Sequence, residues 1–319
     1  MIAENVKAST QARLLEGADV ADQIKDEVKR EVEQLSREQN VVPCLAAVRV
    51  GEDPASAVYV RNKIRACAEV GIRSEHLALP ETTTTEELLE VVDRLNSRDD
   101  VDGILTQLPF PKQVDEASVV ERIDPVKDVD GFHPINVGKL GLGRPQLVPC
   151  TPSGIIELLD HYKIEIRGTN ACVVGRSQIV GRPMAQLLLQ RDATVTVCHS
   201  RTRDLAAVTS EADLLVVAIG RAGMIDARFI KPGSTVIDVG MNRLTDADEV
   251  REMFGDKADQ RLQILAKRGA TLIGDVKPAD AMKVAANFTP VPGGVGLLTV
   301  AMLMKNTLKA AKLRRGITS

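Results

Sequence analysis

The sequence predicts an α/β protein of two domains with parallel sheets. Three observations lead there. Strand and helix patterns alternate along most of the chain, as in successive βα units. At 319 residues the chain exceeds what one hydrophobic core usually organises. A fresh βα series also begins near Asn170, after a helix start marked by Pro149-Cys-Thr-Pro152.

The elements follow in order. Residues 18–37 have the apolar spacing of an amphipathic helix. Cys44–Val50 is an apolar strand and Gly51-Glu-Asp-Pro54 a turn. A helix from about Ser56 to Val70 is stopped by Gly71. Strand Ser74–Leu79, helix Thr85–Ser97 and strand Gly103–Thr106 come next, and Gln107-Leu-Pro-Phe-Pro111 ends that strand because proline cannot donate to a ladder. Helix Pro152–Tyr162 leads into strands near 171–174, 193–198, 213–219, 234–239 and 271–273. Residues 245–268 are a charged excursion, expected as a surface helix pair. Leu297–Leu313 reads as a last helix that returns to the first domain. The expected division is therefore 1–150 plus 290–319, with 151–289 inserted between them.

Composition narrows the class. Apolar residues make up 44% and charged residues 27%, as in ordinary globular proteins. Net charge is −3, so nucleic acid is not an expected partner, and Lys312-Leu-Arg-Arg315 reads as a solvated helix end. The five cysteines lie far apart with no C-x-x-C pair, which points to buried reduced thiols and a cytoplasmic protein. No metal is expected, since histidines and cysteines form no ligand spacing. Met1–Lys7 lacks an apolar leader core, and no run reaches the length of a membrane span.

Two glycine-bearing segments carry chemistry. Thr289-Pro-Val-Pro-Gly-Gly-Val-Gly296 cannot be a helix interior or a central strand. It reads as a wall where main chain approaches a flat ligand, with an ordinary surface loop as the alternative. Ala171-Cys-Val-Val-Gly-Arg-Ser-Gln-Ile-Val-Gly-Arg-Pro183 reads as buried strand, tight turn and helix start, a Rossmann-like phosphate site. It departs from G-x-G-x-x-G: Ser177 holds the middle position, and Gly181 falls six residues after Gly175. By itself it could be a structural βα turn.

The next strand sharpens the cofactor. In NAD sites an acidic residue about 20 positions on holds the ribose. Here Thr194–Cys198 ends in His199-Ser-Arg-Thr202, with no carboxylate. Ser200 and Arg201 suit a 2′-phosphate, and Arg176 can add a second cation, so NADP is favoured over NAD. Gly220 and Gly240 end later strands, at the sheet edge where such cofactors lie.

In the first domain Tyr59 and Lys63 are four residues apart on one expected helix and share a face. Tyrosine offers a flat ring, and a lysine in a cleft can act as base or acid. Taken alone, the pair fits an amphipathic helix with its lysine snorkelling. Gln107 stands at the carboxyl end of an expected parallel strand, where α/β proteins bind ligands. Lys127-Asp-Val-Asp-Gly131 places two carboxylates in a glycine-closed turn. One could accept hydrogen bonds from an aminopyrimidine edge, or the turn could be an Asx turn or helix cap.

Together these segments resemble the bifunctional methylenetetrahydrofolate dehydrogenase/methenyltetrahydrofolate cyclohydrolase family. The motifs that carry the likeness are Tyr59-x-x-x-Lys63, Gly103-Ile-Leu-Thr-Gln-Leu-Pro109, Lys127-Asp-Val-Asp-Gly-Phe132, Gly175-Arg-Ser-Gln-Ile-Val-Gly181 and Thr289–Gly296. They stand in family order from about Leu15 to Ala311. The resemblance implies two α/β domains with the Rossmann-like one inserted before the C-terminal helix returns to the first, and a homodimer formed through the cofactor domain. It implies Lys63 as the catalytic residue, Gln107 as its neighbour, Asp130 as the pterin anchor and Tyr59 as a ring stacked on the folate. Leu108, Pro292, Gly293, Gly294, Val295, Gly296 and Thr299 would complete the substrate pocket. Gly175, Arg176 and Ser177 would meet the NADP phosphates and Ser200 the 2′-phosphate, with Ile179, Val180, Arg201, Ala218, Gly220 and Met241 lining the cofactor site.

Two departures stand out. The family usually continues Gly-Pro-Met-Thr where this chain has Gly296-Leu-Leu-Thr299, and Leu297 restores a donor N–H and loosens φ. The excursion at 245–268 is also longer than in many members. A simple NADP-linked dehydrogenase of another small substrate would explain the βα series, but it would leave Tyr59, Lys63 and the glycine-rich wall without a task.

Overall fold

The computed structural model describes residues 11–317, except the side chains of 54–58. The stretch Met1–Lys7, read above for a leader, lies outside the described residues. The chain runs β1 (Arg13–Leu14), α1 (Ala18–Gln39), β2 (Cys44–Val50), α2 (Pro54–Val70), β3 (Arg73–Leu79), α3 (Thr85–Asn96), β4 (Gly103–Gln107), α4 (Glu116–Arg122), α5 (Pro134–Gly141) and α6 (Cys150–His161). It continues with β5 (Asn170–Val174), α7 (Gly181–Gln190), β6 (Thr194–Cys198), α8 (Leu205–Thr209), β7 (Leu214–Val217), β8 (Thr235–Asp238), β9 (Asn242–Leu244), α9 (Ala247–Phe254) and α10 (Ala258–Arg268). β10 (Thr271–Ile273), α11 (Pro278–Val284), β11 (Asn287–Phe288) and α12 (Val295–Arg314) complete it.

Two compact units result. Of the described residues, the first comprises 18–156 and 297–317, the second 11–17 and 157–296. The divisions fall inside α6 and in the first turn of α12, and residues 12–17 join the second unit because β1 pairs with β11.

The first unit holds a parallel sheet in the order β3-β2-β4. β2 is central, and its continuous apolar run Cys44–Val48 is buried on both faces, as a middle parallel strand requires. α3 covers the sheet with Leu88, Val91, Val92 and Leu95, a stripe at helical spacing. Its start is fixed by a capping box in which Thr84 and Glu87 satisfy each other's amides. Its end is held by Lys127, whose buried ammonium donates to the Leu95, Asn96 and Arg98 carbonyls at 3.0, 2.7 and 2.7 Å.

The carboxyl end of the chain corrects one expectation. Arg314 and Arg315 are not a solvated helix end. Both donate to Asp102 Oδ1, at 2.6 and 2.5 Å, and that carboxylate is fully buried. Its other oxygen accepts from the Cys44 amide at 3.0 Å. A carboxylate without water needs such partners, and they come from a segment 212 positions away.

The second unit is a six-stranded sheet, β1-β11-β8-β7-β5-β6, parallel at every pairing. Its core gathers Cys172, Val174, Leu215, Val217, Val236 and Phe288. The strand expected at 271–273 is present, yet it lies outside this sheet. As β10 it pairs antiparallel with β9 in a separate two-stranded ribbon, because α10 ends in the left-handed Gly269 and the chain returns along β9. The excursion is the expected helix pair, α9 and α10, seated on Leu244, Val250, Phe254, Ala258 and Ile273.

Candidate active site

In the first unit, α2 and β4 bring Lys63 and Gln107 together. Lys63 Nζ donates to Gln107 Oε1 at 3.0 Å. Gln107 Nε2 donates to the Leu108 carbonyl at 2.7 Å, which turns the amide oxygen toward the lysine. Gln107 is the last residue of β4, at the sheet's carboxyl edge, and the Leu108–Pro109 peptide that follows is cis. Tyr59 stands one helical turn before Lys63 and is 40% exposed.

The turn after α4 sorts its own charges. Lys127 caps α3, as described above. Asp128 is buried and accepts from the Gly131 and His133 amides and from Asn136 Nδ2, at 3.1, 2.8 and 2.9 Å. Those contacts make it the lock of an Asx turn. Asp130 is the carboxylate left to act. Burial pushes it up to about 6, while the nearby Lys63 ammonium holds it down. Glycine is required at 131, where φ is +75° and an added Cβ would press on Pro149 N and the Val148 carbonyl carbon.

Thr299, from α12, shares a hydrogen bond with Thr151 at 2.9 Å. Leu297 is 45% exposed.

In the second unit, β5, its turn and α7 form the expected strand–turn–helix. Gly175 has φ +126°, and a Cβ there would overlap the Ala218 carbonyl oxygen. Gly181 likewise presses on the Gly175 carbonyl, so both glycines permit close backbone approach. Ser177 Oγ accepts from the Val180 and Gly181 amides at 3.2 and 3.3 Å, which closes the turn and leaves the hydroxyl proton to donate. Arg176, Ile179, Ser200 and Arg201 are exposed and Val180 is half-buried. His199 Nδ1 accepts from the Arg201 amide at 3.1 Å and thereby shapes that loop. The nearest following acid, Asp204, caps α8 by accepting from Ala207 N at 3.2 Å. The donor set at this strand end is therefore hydroxyl and guanidinium, the chemistry that fits a phosphorylated ribose.

The glycine-rich wall and Met241 also meet within this unit, since a Cβ on Gly296 would lie 3.0 Å from Met241 Cε. The Val291–Pro292 peptide is cis. The wall is anchored at its base, where the Thr289 hydroxyl accepts from Asp238 N at 2.7 Å.

Comparison with known proteins now decides the family. Residues 15–130 match the model of the tetrahydrofolate dehydrogenase/cyclohydrolase catalytic domain, and residues 149–315 match that of its NAD(P)-binding domain. The chain belongs to the tetrahydrofolate dehydrogenase/cyclohydrolase family. It is 54% identical over 307 residues to the bifunctional protein FolD of Koribacter versatilis, covering 96% of this chain and 99% of that one. To the FolD protein of Acetivibrio thermocellus it is 51% identical over 304 residues, covering 95% and 98%. Among solved structures it resembles the FolD enzyme of Campylobacter jejuni, with TM-score 0.85, 42% identity and coverage of 95% and 99%. It also resembles Trypanosoma brucei FolD, solved with NADP cofactor and inhibitor, with TM-score 0.85, 38% identity and coverage of 97% and 99%.

Four residues of this family member escaped the sequence reading. Asp275 accepts from the Ile219, Gly220 and Arg221 amides at 2.6, 2.9 and 2.7 Å, so it orders the loop that carries Ala218 and Gly220. Asp238 accepts from the Gly240, Asp275 and Val276 amides at 3.0, 2.8 and 3.0 Å, and burial pushes it up to about 7. The signal for both was an acid closing an apolar strand run, Val236-Ile-Asp238 and Leu272-Ile-Gly-Asp275. Asn306 donates to the Val129 and Val148 carbonyls at 2.8 and 2.9 Å and so supports the turn that presents Asp130. Cys150, buried beside it, donates to the Val129 carbonyl at 3.4 Å. Burial and the Asp130 charge raise its thiol well above the ordinary range, so it remains protonated.

Proposed function

We infer that this chain oxidises 5,10-methylenetetrahydrofolate to 5,10-methenyltetrahydrofolate with NADP⁺ and then hydrolyses the product to 10-formyltetrahydrofolate. The observation that carries the reading is the 3.0 Å contact between Lys63 and Gln107, with the Asp130 carboxylate beside it, in a chain of this family. When bound, NADP⁺ supplies the acceptor for the hydride leaving the methylene carbon. The backbone of the Gly175 turn and the exposed Arg176 would receive its phosphates, and Ser200 with Arg201 would receive the 2′-phosphate.

The folate is held by its pterin edge. Asp130, ionised above about pH 6, accepts from the ring's amidine-like N–H groups, and Tyr59 stacks on the flat system. The reading also assigns Leu108, Thr299 and the segment Pro292–Gly296 to folate binding. In the hydrolytic half, water adds to the cationic carbon. Of its two protons, one ends on the ring nitrogen that departs and the other is released. Lys63 manages that transfer, and Gln107 keeps its Nζ directed by accepting from it.

A homodimer formed through the cofactor unit and a cytoplasmic location complete the reading. Support for the dimer is that β6 is an edge strand among the described residues, with Val197 on it 41% exposed and Leu189 of α7 63% exposed. Among the described residues no helix is long and apolar enough to cross a membrane. The function is tested by following the methenyl absorbance after NADP⁺ is added to enzyme and methylene-folate. The reading requires absorbance that rises and then decays, and no rise at all would contradict it.

A further inference from the structure

The helix pair α9–α10 is the part of the second unit to which the proposed function gives no role. A surface excursion with nothing to do would turn its polar side chains to solvent. Arg261 does otherwise. Its guanidinium carbon lies 4.9 Å from the centre of the Phe254 ring, and Nη2 donates to the Val291 carbonyl at 2.9 Å. Val291 stands inside the glycine-rich wall, directly before Pro292. The same helix pair reaches the loop beyond Gly220, where Met253 fills the space that a Cβ on Gly223 would need.

The wall has few holds of its own. Pro290 and Pro292 have no N–H. Gly294 N donates back to the Pro290 carbonyl and Gly17 N to the Gly293 carbonyl, each at 2.8 Å, while Thr289 is tied to Val236 and Asp238 at the base. Of the two carbonyls between these holds, that of Val291 takes its donor from α10. A guanidinium suits the task. Its planar fork stacks on an aromatic face while one N–H points at a carbonyl, a geometry an ammonium cannot copy.

We propose that Arg261 is a positioning residue for the folate substrate: through Val291 it fixes the glycine-rich wall, and the long excursion exists in this chain to present it. The proposal rests on the reading that Pro292–Gly296 lines the folate pocket.

The test compares full-length Arg261→Ala, Arg261→Lys and Pro292→Ala with the parent enzyme by steady-state kinetics and thermal melting. Loss of a charge-assisted hydrogen bond predicts about a tenfold rise in KM for methylene-folate in Arg261→Ala. KM for NADP⁺ should stay within about twofold, because the groups Arg261 meets, the Phe254 ring and the Val291 carbonyl, are not among those assigned to the cofactor. Millimolar guanidinium ion should restore part of the folate KM in Arg261→Ala, and Arg261→Lys should recover less than half of the loss. An unchanged folate KM in Arg261→Ala, while Pro292→Ala raises it, would overturn the proposal and keep the pocket reading. Unchanged folate KM in both would overturn the pocket reading and the proposal with it. Equal rises for folate and NADP⁺ with a lowered Tm and no rescue would show a merely structural arginine, and that also overturns it.

Discussion

Asp130 answers to two opposed demands. Folate recognition needs it ionised, whereas its burial favours the proton and pushes it up to about 6. Folate affinity should therefore be constant above pH 7 and fall about tenfold per pH unit below 6, measured as a dissociation constant by titration calorimetry. Asp130→Ala should remove both the pH dependence and most of the affinity, and an unchanged constant would contradict the anchor role. The stability sign runs the other way. The folded state holds this proton more tightly than the unfolded chain, so ionisation opposes folding at high pH and the penalty disappears as pH falls below about 4. Asp130→Asn should accordingly raise Tm by a few degrees at pH 8 and do little at pH 4. The local sequence Lys127-Asp-Val-Asp-Gly131 announced a carboxylate turn. It could not say which charge was free, because the partners of Lys127 are carbonyls about thirty positions away at the end of α3.

Elements here are held by charges set at their ends. Asp102, at the start of β4, receives Arg314 and Arg315 from the end of α12 while accepting the Cys44 amide. Asp102→Ala takes the buried carboxylate from both guanidinium groups and from the Cys44 amide, leaving Arg314 only the Asp99 and Val101 carbonyls with a 3.7 Å ion pair to Asp99, and Arg315 the Ala311 carbonyl, and should cost about 3–5 kcal/mol in urea unfolding. A loss below 1 kcal/mol would mean water replaces the carboxylate. At the end of β6 the predicted effect is selective. Ser200→Ala with Arg201→Ala should raise KM for NADP⁺ about tenfold or more while leaving KM for NAD⁺ within about twofold. Equal effects would remove the 2′-phosphate assignment. Long apolar elements such as β2 and β5 were legible from composition, because burial on both faces leaves a continuous run. β1 and β11 were not: each is two residues long, too short for any periodicity, and pairing alone defines them. The strand at 271–273 was legible as a strand and misplaced as a parallel one, since partner choice depends on the turn at Gly269.

At the scale of the molecule, the Lys63–Gln107 pair and Asp130 stand in one compact unit and the dinucleotide turn in the other. The order of motifs along the chain made that division legible, while its borders were blurred because they fall inside α6 and the first turn of α12. Sedimentation should find a species of twice the chain mass, converted to monomer by Val197→Lys on the edge strand β6. The most direct test uses Lys63→Met. With NADP⁺ and methylene-folate, this variant should form the methenyl chromophore and keep it, because the dehydrogenase half survives while enzymatic decay falls at least about a hundredfold. Decay at the parent rate would contradict the assignment of Lys63 and, with it, the account of how this protein hydrolyses its own product.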